Sequence, residues 1–265
     1  MAPSAGARTP LRHQTRGDFW YNTGVVLFGF GRDGSVAAAE DSPRVGVFAV
    51  SRPGLARQDN QDRVFVDEMR LVFCVADGIG GADDGAMASE IVCRNVKMVL
   101  AAAPEEFSQR VAAVGQAVAD ANAAIFAYSR ERGYDVMGST VAVMVLDLAN
   151  PRHAAICHVG DSRVYRMRRG MPQLLTRDHR KDAGENTLTR AVGVAESVRA
   201  DWFEIKSTNP SRFVLCTDGV HDVESAARLA VFASAGPLES AAQRLSADIE
   251  RRGAPDNYSF VMVEV

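Results

Sequence analysis

One short stretch carries the clearest structural signal in this sequence: Leu71-Val72-Phe73-Cys74-Val75-Ala76-Asp77-Gly78-Ile79-Gly80-Gly81. Its first residues are apolar and mostly suited to strands, and the Asp-Gly pair that follows is a turn signal. The stretch therefore predicts a buried β-strand that ends at Asp77. A carboxylate at the end of a buried strand is unfavourable by several kcal/mol unless an opposite charge compensates it. Because a single Asp-Gly pair is most often a simple turn, Asp77 needs partners elsewhere in the chain to indicate a cation site.

Similar apolar runs recur on both sides of this stretch. Strands are predicted at Val45–Val50, Leu71–Ala76, Thr140–Leu146, Ala154–Val159, Arg163–Met167, Arg199–Ile205, Phe213–Cys216 and Tyr258–Val265. Helical spacing predicts three longer helices, at Ala86–Leu100, Phe107–Tyr128 and Pro237–Arg251. Because the strands come in adjacent groups and two of the helices come as a pair, the order favours an α+β fold in which helices cover an antiparallel sheet core.

Four further aspartates share the setting of Asp77 at one end of an apolar run. They are Asp62, Asp161, Asp218 and Asp256. Hard cations such as Mg²⁺ and Mn²⁺ prefer carboxylate, carbonyl and water oxygens, and a glycine beside an aspartate lets a backbone carbonyl approach the ion. No pair of His or Cys residues has zinc-binding spacing. The residues alone support a metal-binding α/β domain, and the alternative that each Asp-Gly pair is only a turn stays open.

The composition of the 265 residues excludes several classes of protein. With 47% hydrophobic and 24% charged residues, the chain is typical of a globular protein rather than a disordered, collagen-like or multi-span membrane protein. Its 30 Lys and Arg residues against 33 Asp and Glu residues give a net charge of -3, which argues against nucleic acid as a partner. The four cysteines are widely spaced and three lie in apolar runs, which predicts reduced thiols and a cytoplasmic location.

Residues 1–43 differ from the rest and are predicted to form a flexible or loosely packed N-terminal extension. The apolar run Phe19–Phe30 is too short to span a membrane, and Asn22 and two glycines interrupt it, which disfavours a secretion signal. An alternative is a strand-like segment that lies on the domain. Residues 44–265 are predicted to form one domain without internal repeats or a linker.

Eight motifs, taken in order along the chain, give this sequence a family resemblance. They are Gly54-Leu55-Ala56-Arg57-Gln58-Asp59-Asn60-Gln61-Asp62, Ala76-Asp77-Gly78-Ile79-Gly80-Gly81, Met137-Gly138-Ser139-Thr140, Val159-Gly160-Asp161-Ser162-Arg163-Val164-Tyr165, Leu175-Thr176-Arg177-Asp178-His179, Leu188-Thr189-Arg190-Ala191-Val192-Gly193, Cys216-Thr217-Asp218-Gly219-Val220-His221-Asp222 and Asp256-Asn257-Tyr258-Ser259. With them, residues 44–265 resemble the metal-dependent Ser/Thr protein phosphatases, the PPM or type 2C family, in a bacterial form. The resemblance implies a four-layer α-β-β-α sandwich of two antiparallel sheets, with a metal centre in a cleft at one end.

The resemblance also implies which residues bind metal. Asp77 is expected to bridge two Mn²⁺ or Mg²⁺ ions, and the carbonyl of Gly78 is expected to be a further ligand. The remaining carboxylate ligands are expected to be Asp62, Asp218 and Asp256, bound directly or through water. Two such ions ~3.5–4 Å apart share a water and lower its pKa, which creates a nucleophile for in-line attack on phosphorus.

Further roles follow from the same resemblance. Arg57 matches the arginine that binds the substrate phosphate, for which a planar guanidinium can donate two parallel hydrogen bonds. Asp135 matches a carboxylate that, together with Asp218, holds a third and weaker metal ion in many members, or it is only a loop residue. Asp222 is a candidate ligand near the same position, or the N-cap of the next helix. Asp161 is interpreted as a structural turn residue, with a supporting role at the site left open.

Several positions depart from the family pattern. Gln61 stands where many members have Glu, which removes one negative charge from the site. Ile79 stands where eukaryotic members have a histidine that is a candidate general acid, so the leaving group must take its proton from elsewhere. The segment 179–187 is shorter than the flap of bacterial members, and we expect a more open cleft with broad substrate tolerance, or recognition supplied by a partner. His158 alternates with apolar residues and is expected in the core or at the cleft rim rather than as an acid.

The predicted function is a metal-dependent phosphoprotein phosphatase that hydrolyses phosphoserine and phosphothreonine and opposes a bacterial Ser/Thr kinase. Its expected partners are that kinase and its phosphorylated substrates, and the chain is expected to be a monomer. One alternative is a catalytically weak or silent member that binds phosphoproteins as a regulatory module. Another is a phosphatase acting on an anti-sigma antagonist in a partner-switching circuit. The complete set of Arg57, Asp62, Asp77, Asp218 and Asp256 favours an enzyme, because degenerate members typically lose one or more of these residues.

Overall fold

The structure is a computed structural model of the chain, and it describes residues 19–20, 24–26, 45–181, 187–206 and 211–265. Most of the predicted N-terminal extension and residues 182–186 of the predicted flap lie outside the described residues. Two short strands of the extension are described, β1 (Phe19–Trp20) and β2 (Gly24–Val26).

The remaining elements follow in chain order. The strands are β3 Gly46–Arg52, β4 Arg63–Asp67, β5 Val72–Ala76, β6 Gly78–Ile79, β7 Gly138–Ser139, β8 Val141–Leu146, β9 His153–Val159, β10 Arg163–Arg168, β11 Met171–Leu174, β12 Asp201–Lys206, β13 Arg212–Cys216 and β14 Tyr258–Glu264. The helices are α1 Ala82–Ala102, α2 Phe107–Arg132, α3 Asp218–His221, α4 Ala226–Ser234 and α5 Leu238–Arg251.

Two six-stranded sheets form the centre of the molecule. The first has the strand order β1-β4-β5-β8-β9-β12 and the second β11-β10-β13-β14-β3-β2. Every neighbouring pair in both sheets is antiparallel. A small third sheet joins β6 to β7. The short strands of the N-terminal segment therefore pair at one edge of each large sheet, which matches the alternative of a strand-like segment lying on the domain.

Three hydrophobic clusters correspond to the three interfaces of a four-layer sandwich. In β5 the alternate residues Val72 and Cys74 pack toward α1 and α2, whereas Phe73 and Val75 pack between the two sheets. β3 alternates in the same way, with one face between the sheets and the other toward α4 and α5. Because successive side chains of a strand point to opposite faces, a strand covered on both sides is apolar throughout. The predicted α-β-β-α sandwich with two antiparallel sheets is confirmed.

The helix ends follow from local sequence. α1 ends at Ala102, and Ala103 is extended because the residue before Pro104 is disfavoured in the helical region. α2 ends at Gly133, which takes the left-handed conformation with φ of 70° and whose amide bonds back to the last turn. By length and composition alone α2 could cross a membrane. Eight of its residues are buried, mostly against α1 and the first sheet, and the core helix of a globular protein has the same composition.

The eight predicted strands and three predicted helices are all present, with bounds that differ by a few residues. The prediction missed the strands β4, β6, β7 and β11 and the two helices α3 and α4, and it gave strands in the N-terminal segment of β1 and β2 only as an alternative. β11 is an exposed edge strand that contains Pro172, so it has no apolar run, although Gly170 in the turn before it was a usable signal. The five residues of β4 begin and end with a charged residue, and their pairing with β5 is what makes them a strand.

Candidate metal centre

The topology places four of the predicted aspartates at one end of the sandwich. Asp62 directly precedes β4 and Asp77 directly follows β5, and these strands pair with Arg63 opposite Ala76. Asp218 follows β13 and Asp256 precedes β14, and these strands also pair. In an antiparallel pair the start of one strand lies beside the end of its neighbour. Each central strand pair therefore presents two carboxylates at the same end of its sheet.

The aspartates at this end disfavour the ionised forms of one another. Burial raises the pKa of Asp62 to about 7, and the negative charges of Asp218 and Asp256 raise it further. Hydrogen bonds from Thr217 and Ser259 act in the opposite direction and lower this pKa. Burial also raises the pKa of Asp77 well above its usual range, followed by the charges of Asp62 and Asp218. The pKa of Asp218 rises to about 6, through burial first and then the charge of Asp161. The cluster is thus unfavourable as free anions and suited to a cation.

The two carboxylate oxygens of Asp62 differ, because one accepts a hydrogen bond and the other has no partner. Thr217 donates a hydrogen bond from Oγ1 to Oδ2 of Asp62 at 2.8 Å, while Oδ1 of Asp62 is buried without a hydrogen-bond partner. Asp62 is 1% exposed, so this atom is shielded from bulk solvent. An orphaned buried carboxylate oxygen among acidic neighbours fits a hard divalent cation with oxygen ligands.

No group of three His, Cys, Asp or Glu side chains within the described residues is already arranged around a common metal position. Two of the predicted ligands pair with arginines. Asp256 accepts a hydrogen bond from Arg57, and Asp218 accepts one from Arg180.

The backbone around Asp77 is fixed by the Gly-Ser-Thr motif. Thr140 donates its amide to the carbonyl of Asp77 at 2.8 Å and accepts the amide of Asp77 at its Oγ1 at 2.9 Å. Ser139 donates from Oγ to the same carbonyl at 2.9 Å. This explains a motif for which the sequence indicated only a resemblance, because it anchors the predicted bridging ligand.

Gly78 lies where a side chain has no space. A Cβ at this position would lie 1.9 Å from the carbonyl oxygen of Gly85 and 2.9 Å from that of Gln61. The close approach of three backbone segments requires glycine here. The predicted role of the Gly78 carbonyl as a ligand stays a prediction, and the crowding shows that the loop geometry depends on this residue.

Arg57 lies at the rim of the same centre. Its Nη2 donates to Oδ2 of Asp256 at 2.9 Å, and this hydrogen bond raises the pKa of the guanidinium. The side chain of Arg57 is 58% exposed, so it can also be reached from the cleft opening. The structure thus places Arg57, Asp62, Asp77, Asp218 and Asp256 at the same end of the sandwich, and their roles as ligands and phosphate-binding residue stay predictions.

The other two predicted metal residues are Asp222 and Asp135. Asp222 follows α3, is exposed and pairs with His221. Asp135 lies in the loop before β7 and lines an open groove of about 550 Å³ together with Gly80, Asp84 and Tyr134. The role of Asp135 as a ligand of a third ion stays a prediction.

Several functional residues were missed by reasoning from the sequence. Asn257 connects three loops of the site: it donates to the carbonyls of Pro53 and Asp59 and accepts the amide of Gln61. Thr217 orients Asp62, and Arg180 contacts Asp218. Asn257 and Thr217 lie directly beside aspartates in the motifs, which was a usable signal. The sequence contained no signal for Arg180, because its contact with Asp218 depends on the tertiary fold.

Comparisons with known proteins agree with this geometry. The sequence model of the family Protein phosphatase 2C matches residues 50–251. The serine/threonine phosphatase stp of Listeria innocua serovar 6a is 26% identical, over 80% of this chain and 92% of that protein. The structure of PppA, a key regulatory component of T6SS in Pseudomonas aeruginosa, is 27% identical with a TM-score of 0.78, covering 83% of this chain and 97% of that one. The catalytic domain of the serine threonine protein phosphatase PstP in complex with two manganese ions is 26% identical with a TM-score of 0.71, at coverages of 83% and 97%.

The family match spans most of the chain and includes three of the four aspartates at the ends of the central strands. The fourth, Asp256, lies just after the matched residues. The antiparallel two-sheet sandwich with outer helices is shared with the solved structures that superpose on it. Sequence motifs, fold and site geometry therefore agree. The chain belongs to the protein phosphatase 2C family of Ser/Thr phosphatases, in its bacterial form.

Proposed function

We propose that the chain removes phosphate from phosphoserine and phosphothreonine in proteins, using two Mn²⁺ or Mg²⁺ ions held by Asp62, Asp77, the carbonyl of Gly78, Asp218 and Asp256. The observation that carries the proposal is the buried carboxylate of Asp62, which has one oxygen without a partner and acidic neighbours on both sheets. When bound, two such ions supply an activated water for in-line attack on phosphorus.

The residues of the chain itself prepare the ligands. Thr217 fixes one oxygen of Asp62 and leaves the other free to bind. Ser139 and Thr140 hold the backbone at Asp77, so this carboxylate is positioned by a strand end rather than by a mobile loop. Ligands held by rigid elements keep the geometry on which positioning of the reacting groups depends.

Arg57 is the residue proposed to bind the substrate phosphate. Its guanidinium is charged, exposed at the rim and held by one carboxylate oxygen of Asp256. Phosphate offers a bidentate pair of acceptors, which a planar guanidinium matches better than a single carboxylate oxygen. If Arg57 released Asp256 and bound the substrate phosphate instead, the phosphorus would lie next to the aspartate cluster.

An active enzyme is better supported than a silent phosphoprotein-binding member. The predicted carboxylates and Arg57 are all present, and the structure brings them to one end of the sandwich. The similar PstP catalytic domain, which is in complex with two manganese ions, supports a two-ion centre. We further propose that the protein opposes a Ser/Thr kinase, acts in the cytoplasm as a monomer and has reduced thiols, which its four buried free cysteines support.

The test is hydrolysis of an aryl phosphate and of a phosphothreonine peptide, measured with Mn²⁺, with Mg²⁺ and with excess chelator. We expect activity with either ion and none with chelator, and we expect Asp218→Asn to lose most of the activity. Asp120→Asn is the matched control, since Asp120 is exposed on α2 and bonded to Gln116. Activity that survives chelation, or an Asp218→Asn variant as active as the control, would refute the two-ion mechanism.

A further inference from the structure

Arg180 enters the metal centre from the neck of the predicted flap. The neck consists of residues 179–181 on one side and 187–189 on the other. Lys181 donates its amide to the carbonyl of Thr187, and Thr189 donates its amide to the carbonyl of His179, so the two sides are hydrogen-bonded. A bridge joins Arg180 to Leu188 between them. The backbone of Arg180 is thus held on both sides.

The residues before Arg180 are also anchored. Asp178 accepts hydrogen bonds from Arg163 on β10 at both carboxylate oxygens, from Nε at 3.0 and 3.1 Å and from Nη2 at 2.7 Å. His179 is buried and accepts the amide of Gly160 at Nδ1. The fold therefore fixes the backbone from which the Arg180 side chain extends, and the carboxylates that it contacts hold its guanidinium.

The guanidinium of Arg180 contacts three carboxylates at once. Its Nε donates to Oδ2 of Asp161, its Nη2 donates to Oδ2 of Asp218 at 3.3 Å, and its Nη1 lies 3.9 Å from Oδ2 of Asp222. The Arg180 side chain is 18% exposed, which makes it far more enclosed than Arg57. An enclosed guanidinium with several carboxylate partners is costly to displace, because separating the charges leaves each of them incompletely solvated.

The charges at this corner favour the guanidinium. Burial disfavours the charged form of Arg180, but the charges of Asp161, Asp222 and Asp218 outweigh burial and the pKa of Arg180 is raised. The pKa of Asp222 is lowered, first by its hydrogen bond with His221 and further by the charge of Arg180. Asp222 thus has partners on two sides, the Arg180 guanidinium and the ring of His221.

We infer that Arg180 is the internal counter-cation of Asp218 and Asp222, and that it compensates the Asp218 carboxylate in place of the third metal ion expected between Asp218 and Asp135. The inference rests on the proposed function, because it assigns two ions rather than three to the same centre. It also gives the neck of the flap a role: a cation fixed in the chain replaces one that would have to be bound from solution. Asp161, interpreted from the sequence as a turn residue, is the third carboxylate that holds this cation.

The experiment counts the bound ions directly. Mn²⁺ is titrated into the metal-free full chain by isothermal titration calorimetry, and free Mn²⁺ is followed in parallel by electron paramagnetic resonance. We expect about two ions for the unaltered chain, and about one more for Arg180→Ala and for Arg180→Gln, which expose a carboxylate pair to solution cations. Adding Asp222→Asn to either variant should remove the additional ion. Arg177→Ala, which removes an exposed arginine from the same segment, is the matched control and should leave the count unchanged.

Asp222→Asn in the otherwise unaltered chain tests the inference even where the Arg180 variants fail to fold. Asp222 is about half exposed, and its substitution should leave the ion count unchanged because Arg180 already occupies the corner. Loss of one ion in Asp222→Asn would overturn the inference, as would an unchanged count in a folded Arg180→Ala or Arg180→Gln variant. A chain that binds no Mn²⁺ and hydrolyses no phosphate would instead refute the proposed function itself.

Discussion

Arg57 donates a hydrogen bond from Nη2 to Oδ2 of Asp256 over 2.9 Å, so the predicted phosphate-binding arginine and a predicted metal ligand are ion-paired. Their side chains are 58% and 40% exposed. Exposed ion pairs typically contribute ~1 kcal/mol or less to stability. Replacement of this contact by a phosphate group, which offers more acceptor oxygens, is therefore inexpensive in free energy, in contrast to the enclosed pairing of Arg180.

Substitution of Arg57 tests its role in substrate binding. We expect Arg57→Ala to raise the KM for a phosphothreonine peptide by about 10- to 100-fold, since hydrogen bonds to charged groups contribute about 1.5–3 kcal/mol. The Mn²⁺ affinity should change far less, because the exposed pair with Asp256 is weak. Steady-state kinetics and Mn²⁺ titration measure both. Arg168→Ala, at the other end of β10 from Asp161, is the control, and kinetics of Arg57→Ala equal to this control would remove Arg57 from the site.

The hydroxyl of Thr217 is expected to matter for both stability and metal binding. Thr217→Val removes the donor to Asp62 and also the acceptor of the Ser259 amide at 3.0 Å, in a position that is fully buried. Leaving buried polar groups without partners costs about 1–3 kcal/mol each. Urea denaturation should show a loss in this range, and Mn²⁺ should bind more weakly because Asp62 is less well oriented. Thr189→Val, at an exposed position, is the control; equal stability of the two variants would contradict this account.

The fold could be predicted from the sequence because its central strands are apolar on both faces. β5 and β8 have this pattern, and so does β14, since each is covered by a helix layer on one side and by the other sheet on the opposite side. Asp62 precedes β4, which was not predicted as a strand. Asp77, by contrast, was a clear candidate because it follows β5 directly, and Asp218 and Asp256 are each separated by one residue from β13 and β14. In these cases the local sequence and the tertiary position carry the same information.

The pairing of charges at the site could not be predicted in the same way. Arg180 and Asp218 are 38 positions apart in the chain, and their contact depends on how the neck of the flap folds back over the end of the sheets. Asp161 appeared to be a turn residue for the same reason: its carboxylate acquires a role only where Arg180 reaches it. Long polar side chains carry no periodic signal, so their partners are decided by tertiary structure alone.

Gly78 is expected to tolerate no side chain. In Gly78→Ala the Cβ would overlap the carbonyl oxygen of Gly85, so the Asp77 loop or the start of α1 must shift. Overpacking of this kind costs about 1–3 kcal/mol or more, and a displaced Asp77 should bind Mn²⁺ more weakly. Gly46→Ala is the matched control, because its nearest new contact is an ordinary one at 3.5 Å. Thermal unfolding and Mn²⁺ titration should separate the two variants, and a Gly78→Ala variant as stable and as well metallated as Gly46→Ala would refute the crowding argument.

His158 is expected to make the protein less stable in mild acid. It is fully buried in β9, both ring nitrogens lack hydrogen-bond partners, and burial followed by the charge of His179 lowers its pKa to about 4. An unfolded histidine has a pKa near 6.5, so between pH 6.5 and 4 the unfolded chain binds more protons than the folded one. This contribution to stability is fully present above pH 6.5 and is lost as the pH falls toward 4.

Comparing His158→Leu with the unaltered chain separates the titration of His158 from that of the acidic cluster, because the acidic cluster is the same in both. At pH 8 His158→Leu should be close to the unaltered chain in stability, because the removed nitrogens make no hydrogen bonds. At pH 5 it should be more stable than the unaltered chain by ~2 kcal/mol, the value that the two pKa values give for one proton. Urea denaturation at both pH values in the presence of chelator measures the difference. A difference between the two proteins that does not grow from pH 8 to pH 5 would show that His158 finds a proton acceptor in the folded chain.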